Sequence, residues 1–81
     1  MKMTHLIAKR TRWLLKERRW TQYKLSTRSA VPLSTIHHVM HGRSNNMKIE
    51  TLLNICRGLE ISLTEFFDDD LFLPENIPDN D

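Results

Sequence analysis

The sequence predicts an all-α domain of five short helices, on three observations. Apolar residues recur at helical spacing, and no stretch alternates polar and apolar as a half-buried strand would. Two glycines and three prolines in 81 residues allow tight turns but not long loops. Serine, threonine and glycine stand where helix ends need them.

The first helix is expected from His5 to Arg18, with Thr4 as its N-cap. Ile7, Thr11, Leu14, Leu15 and Arg18 share one face, while Lys9, Arg10, Arg12, Lys16 and Arg19 take much of the rest. Thr21 caps a short second helix, Gln22 to Ser29, with Leu25 turned inward and Trp20 filling the space between the two helices. Trp13 falls on the basic side of the first helix. Ala30-Val31-Pro32 then breaks the chain, because proline cannot continue a helix but suits a first turn. The third helix is expected from Leu33 to His41, burying Ile36, Val39 and Met40, with Gly42 as its left-handed terminator.

A polar loop, Arg43 to Met47, leads to a fourth helix whose apolar face is Ile49, Leu52, Leu53, Cys56 and Leu59, with Ile55 close by. Ser62-Leu63-Thr64-Glu65 is a capping box that opens a fifth helix carrying Phe66 and Phe67. Residues 1–70 therefore read as one domain. Residues 71–81 read as an acidic, partly disordered tail with two prolines.

Composition excludes several classes. No apolar run approaches the ~18 residues a membrane span needs, and the first residues lack the apolar stretch of a secretory signal. The single cysteine, Cys56, cannot form an internal disulfide, which fits a reducing cytoplasm; on an apolar face it reads as packing rather than a reactive thiol. A chain this short has little left to wall off a catalytic cleft, and it shows no glycine-rich phosphate loop and no paired carboxylates. We expect no enzyme, no cofactor and no small-molecule substrate. His37, His38 and His41 lie close together but lack the further ligands of a tetrahedral zinc shell, so no metal is expected.

Charge is divided along the chain. Residues 1–43 hold ten Lys/Arg and one acid, Glu17, a net +9; residues 44–81 hold two basic residues and nine acids, a net −7. A basic half of this kind suits a polyanionic partner, although charge runs are often only a solvated face. Within that half, the short helix, tight turn and second short helix outline a helix-turn-helix, which sets its second helix in the DNA major groove. Ala30 supplies the small turn residue, Leu25, Val31, Ile36 and Val39 the apolar anchors, and Leu33, Ser34, Thr35, His37 and His38 a mostly compact outer face.

Taken together, Thr21-Gln22-x-x-Leu25, Val31-x-x-Ser34-Thr35-Ile36, Gly42 and the stretch from Glu50-Thr51-Leu52-Leu53 to Glu65-Phe66-Phe67 resemble the Cro/C1-type helix-turn-helix family, also called the XRE family. The resemblance spans residues 4–68 and implies a compact five-helix lambda-repressor-like DNA-binding domain. The chain departs from the family pattern at Ala30, where glycine is usual, at His37, His38 and His41, and at Met47, often proline. A buried ion pair common in the family is apolar here, as Leu15 and Met40, an exchange that is often neutral or stabilising.

The resemblance implies roles. Gln22 matches a glutamine that bonds a phosphate, at a helix start whose free N–H groups attract anions. Leu33, Ser34 and His38 match positions aimed at base edges: a thymine methyl, either base type and a purine acceptor respectively. Thr35, His41 and Arg43 match positions near the sugar–phosphate backbone. Arg10, Arg12 and Arg28 are general basic candidates for backbone contact, adding affinity without reading sequence. If His38 or His41 meets phosphate or a guanine acceptor, affinity is expected to rise as pH falls through about 6.5.

The expected partner is double-stranded DNA, bound by a homodimer on half-sites about 34 Å apart, and the expected role is transcriptional repression. Leu71, Phe72 and Leu73 could form a dimer surface with the fifth helix, or fold back onto the core. The alternative function is a protein-interaction module of the same fold, antitoxin-like or an adaptor, using the acidic apolar tail.

Overall fold

The computed structural model describes residues 3–43 and 47–77. Five helices follow one another: α1 (Met3–Arg18), α2 (Gln22–Ser29), α3 (Leu33–Met40), α4 (Ile49–Leu59) and α5 (Leu63–Phe67), with 3₁₀ turns at Asp70–Phe72 and Pro74–Asn76. Among the described residues no strand occurs, and no helix is long and apolar enough to cross a membrane. The core gathers one stripe from each helix: Ile7, Leu14 and Leu15 from α1, Leu25 from α2, Ile36, Val39 and Met40 from α3, Leu52, Ile55, Cys56 and Leu59 from α4, and Phe66 from α5. Leu25, Ile36, Ile55 and Phe66 are wholly buried, each stabilising the fold by about 1.5–3 kcal/mol. Leu15 and Met40 lie in this same cluster, packed as apolar neighbours.

Local chemistry sets most boundaries. Thr21 Oγ1 accepts from the Lys24 N–H at 3.0 Å and opens α2. The capping box is complete: Ser62 Oγ accepts from the Glu65 N–H at 3.0 Å, and the Glu65 carboxylate accepts from the Ser62 N–H at 3.4 Å. Thr4 is not the α1 cap, because the helix begins at Met3 and Thr4 lies inside its first turn with Oγ1 buried. Ile49 is 71% exposed, contrary to its place on the expected apolar face. The buried stripe of α4 is centred on Leu52, Ile55, Cys56 and Leu59, and Ile49 lies about 70° to its side at 100° per residue. Helix α3 stops at Met40, with His41 as its C-cap.

Helices α2 and α4 form the most extensive pair, and Gly58 allows it. A Cβ at Gly58 would stand 2.8 Å from the Ser29 backbone. Phe72 folds back rather than outward, its ring centroid 4.8 Å from that of Phe67 and 6.2 Å from that of Phe66. Leu73 and Ile77 stay exposed. The end of the expected disordered tail, residues 78–81, and residues 44–46 of the expected loop lie outside the described residues.

Helix α1 is tied to α3, α4 and α5 through three arginines. Arg10 donates from Nε to the Phe66 carbonyl at 2.7 Å and from Nη2 to the Glu65 carbonyl at 2.8 Å, at the carboxyl end of α5. Arg12 donates from Nη1 to the Met40 carbonyl, the last of α3, at 2.6 Å. Arg18 donates from Nη2 to the Leu59 carbonyl, the last of α4, at 3.2 Å. A helix terminates in carbonyls without intrahelical partners and carries partial negative charge there, so a guanidinium satisfies both needs. Arg10 and Arg12 are two residues apart and leave α1 about 160° from each other. They therefore hold α5 and α3 on opposite flanks.

Candidate nucleic-acid interface

The turn between α2 and α3 is held by two serines. Ser29 Oγ donates to the Leu25 carbonyl at 2.6 Å and accepts from the Val31 N–H at 3.3 Å. Ser26 Oγ donates to the Val31 carbonyl at 2.6 Å. Between them Ala30 takes φ 59° and ψ 22°, the left-handed conformation that glycine adopts without strain. Leu25, Val31, Ile36 and Val39 are buried beneath, so α2 and α3 are fixed as a unit.

What α3 leaves outside is a continuous stripe. Leu33 is 45% exposed, Ser34, His37, His38 and His41 are exposed, and Thr35 is half-buried. Pro32 at the N-cap supplies no side-chain hydrogen bond to the first turn. At the other end, the Arg43 N–H donates to the His38 carbonyl and the Gly42 N–H to the Val39 carbonyl, each at 3.1 Å, with Gly42 at φ 62°. This Schellman pair closes the helix. His41 Nδ1 lies 2.8 Å from the His37 carbonyl oxygen, and the two rings are 4.1 Å apart. Positive charge on His41 is the chief cause that holds the His37 imidazole below its ordinary value, helped by slight desolvation, Arg43 and His38.

Most of the sequence-predicted positions gather around this stripe. Gln22, half-buried, stands at the first position of α2. Arg43 is exposed directly after α3. Arg28 is exposed with its guanidinium 5.7 Å from the Trp20 ring centroid, and Lys24 lies 5.0 Å from the same ring. Trp20 is thus half-buried under two cations rather than sealed in the core. Arg12 is exposed, but its guanidinium is engaged by the end of α3.

Arg10 is a correction. It is 7% exposed, bonded to two carbonyls of α5 and ion-paired to Asp69 at 3.3 Å, so its guanidinium is turned into the fold and not toward a phosphate. Burial requires that pairing, which local sequence cannot signal because every partner lies more than 50 residues away. Two exposed residues escaped the predicted set. Tyr23, 70% exposed beside Gln22, was signalled by an aromatic set opposite Leu25 on a short polar helix. His5 carried no local signal, since its position depends on Gly42 across the fold. Cys56 is buried, and burial pushes its thiol up, as expected of a packing residue.

Residues 12–70 match the family model described as the Cro/C1-type HTH DNA-binding domain. The chain belongs to the Cro/C1-type HTH family. No curated protein and no solved structure matches the chain. The span of the Cro/C1-type domain takes in α2, the turn, α3, α4 and α5, so the exposed α3 stripe lies on the second helix of a DNA-binding helix-turn-helix. Met3–Thr11, the amino-terminal half of α1, lies ahead of that span.

Proposed function

We propose that this Cro/C1-type domain is a sequence-specific DNA-binding regulator that inserts α3 in the major groove as a homodimer and represses transcription. The observation that carries the reading is the exposed stripe of α3, backed by a turn held by the Ser26 and Ser29 hydrogen bonds. On this reading Leu33, Ser34 and His38 meet base edges, and Gln22, Thr35, His41, Arg43 and Arg28 meet the sugar–phosphate backbone. Arg12 contributes charge at the rim while it holds α3. One short helix buries too little surface for tight specific binding, which is the reason to expect two copies on paired half-sites. Repression follows where the bound site overlaps a promoter, because a bound dimer excludes other proteins from the same duplex.

The second reading, a protein-binding module, draws on exposed apolar side chains elsewhere: Trp13 at 49%, Leu73 at 41% and Ile77 at 43%. Titration of duplex DNA at several salt concentrations separates the two. A slope of log affinity against log salt of about −0.9 per phosphate contacted supports the DNA reader. Binding that is absent, or indifferent to salt, supports the protein module.

A further inference from the structure

A groove opens on the flank of α1 that carries α3, lined by His5, Ala8, Lys9, Arg12, His41 and Gly42. Two elements build it, and Gly42 lets them meet: a Cβ there would stand 2.5 Å from His5 Cδ2. The His5 ring thus rests against a bare Cα, beside His41. Among the described residues, every charged group around the groove is basic or can become so. They are His5, Lys9 and Arg12 from α1, His37 and His38 from α3, and Arg43 beyond it; the one acid on α1, Glu17, is at its far end.

The groove also lacks the carbonyl repulsion usual at a helix end. The last four carbonyls of α3 are occupied: His37 by the His41 N–H, His38 by the Arg43 N–H, Val39 by the Gly42 N–H and Met40 by Arg12. The His41 ring has a further constraint. A carbonyl can only accept, so the 2.8 Å contact to His37 makes Nδ1 the protonated nitrogen. A neutral His41 then offers an anion only the lone pair of Nε2. Only the imidazolium presents a donor there.

We propose that this groove seats a phosphodiester of the DNA backbone, held by Lys9, Arg12 and His5, and that His41 joins it only as the imidazolium. The inference rests on the DNA-binding reading and adds to it a site, part of it (His5, Ala8 and Lys9) ahead of the family-matched residues, that takes up a proton on binding. Phosphate offsets the mutual repulsion of His41, His37 and Arg43.

The test uses the full chain and a short duplex of arbitrary sequence, titrated with salt at about pH 5.5 and about pH 8, on either side of the ordinary histidine range. The wild type gains about tenfold in affinity at the lower pH, and its salt slope steepens by about 0.9 for the added phosphate contact. His41→Gln loses most of that gain and His5→Gln a smaller part; both residues are exposed, and thermal melts check that the variants remain folded. A folded His41→Gln that keeps the whole wild-type gain overturns the proposal while leaving the DNA-binding reading in place. Absence of duplex binding at either pH overturns both. Inorganic phosphate, followed by NMR at the Gly42 amide, separates the sources. A His41-dependent shift at the lower pH that duplex does not displace assigns the groove to free phosphate instead of DNA.

Discussion

The Arg12 guanidinium donates to the Met40 carbonyl at 2.6 Å, joining the first helix to the end of the helix on which the proposed reading face lies. The same device recurs at Arg10 on α5 and Arg18 on α4. Part of the positive charge of α1 therefore acts within the fold, as a set of helix-end clamps. These clamps give a first prediction. Arg10→Ala lowers unfolding stability by about 2–4 kcal/mol, because it removes a buried charge and orphans two carbonyls. Arg12→Ala, at an exposed position, costs about 1 kcal/mol. Urea denaturation of the two variants checks the order, and an equal or reversed loss would contradict it.

Alanine in a left-handed turn predicts a gain. Ala30→Gly removes about 1 kcal/mol of backbone strain, partly offset by the greater freedom of the unfolded chain. A higher melting temperature is expected, with DNA affinity unchanged or improved. Gly58→Ala acts in the opposite direction. Its Cβ meets the Ser29 backbone at 2.8 Å, so α2 and α4 must separate, at a cost of about 1–3 kcal/mol.

His37 predicts how stability depends on pH. Its folded value lies below its ordinary one, so the unfolded chain binds the proton first. Its contribution is complete above the ordinary value and is lost as pH falls through the folded value. Melting temperature should therefore fall on acidification below about pH 6.5, and His37→Gln should flatten that dependence. An unchanged profile in the variant would remove His37 as the cause.

On the reading face, base and backbone contacts predict different losses. Ser34→Ala and His38→Ala should each reduce discrimination between preferred and scrambled duplexes by about 1–3 kcal/mol. Arg43→Ala should weaken both duplexes alike and reduce the salt slope by about 0.9. Competition binding with the two duplexes distinguishes these patterns.

The parts of the molecule legible in the sequence are those set by neighbours along the chain. Thr21 and the Ser62–Glu65 box mark helix starts within three residues, and α2 and α5 begin where those caps require. The spacing of Leu25, Val31, Ile36 and Val39 is enough to place a helix-turn-helix, and all four are buried. Features that depend on distant contacts were hidden. Arg10, Arg12 and Arg18 look alike in sequence, and only the folded chain shows each facing a different helix end, 28 to 56 residues away. Ile49 looks apolar enough for the core, yet the rotation of α4 against α2 puts it outside. His5 meets Gly42 only because α1 and α3 pack together.

The most direct test of α3 as a sequence reader is selection of bound molecules from random duplex DNA, with the enriched pool sequenced and titrated at two salt concentrations. An enriched inverted repeat with half-sites about 34 Å apart, bound more weakly as salt rises, is the expected result. A pool that stays random through successive rounds would contradict it.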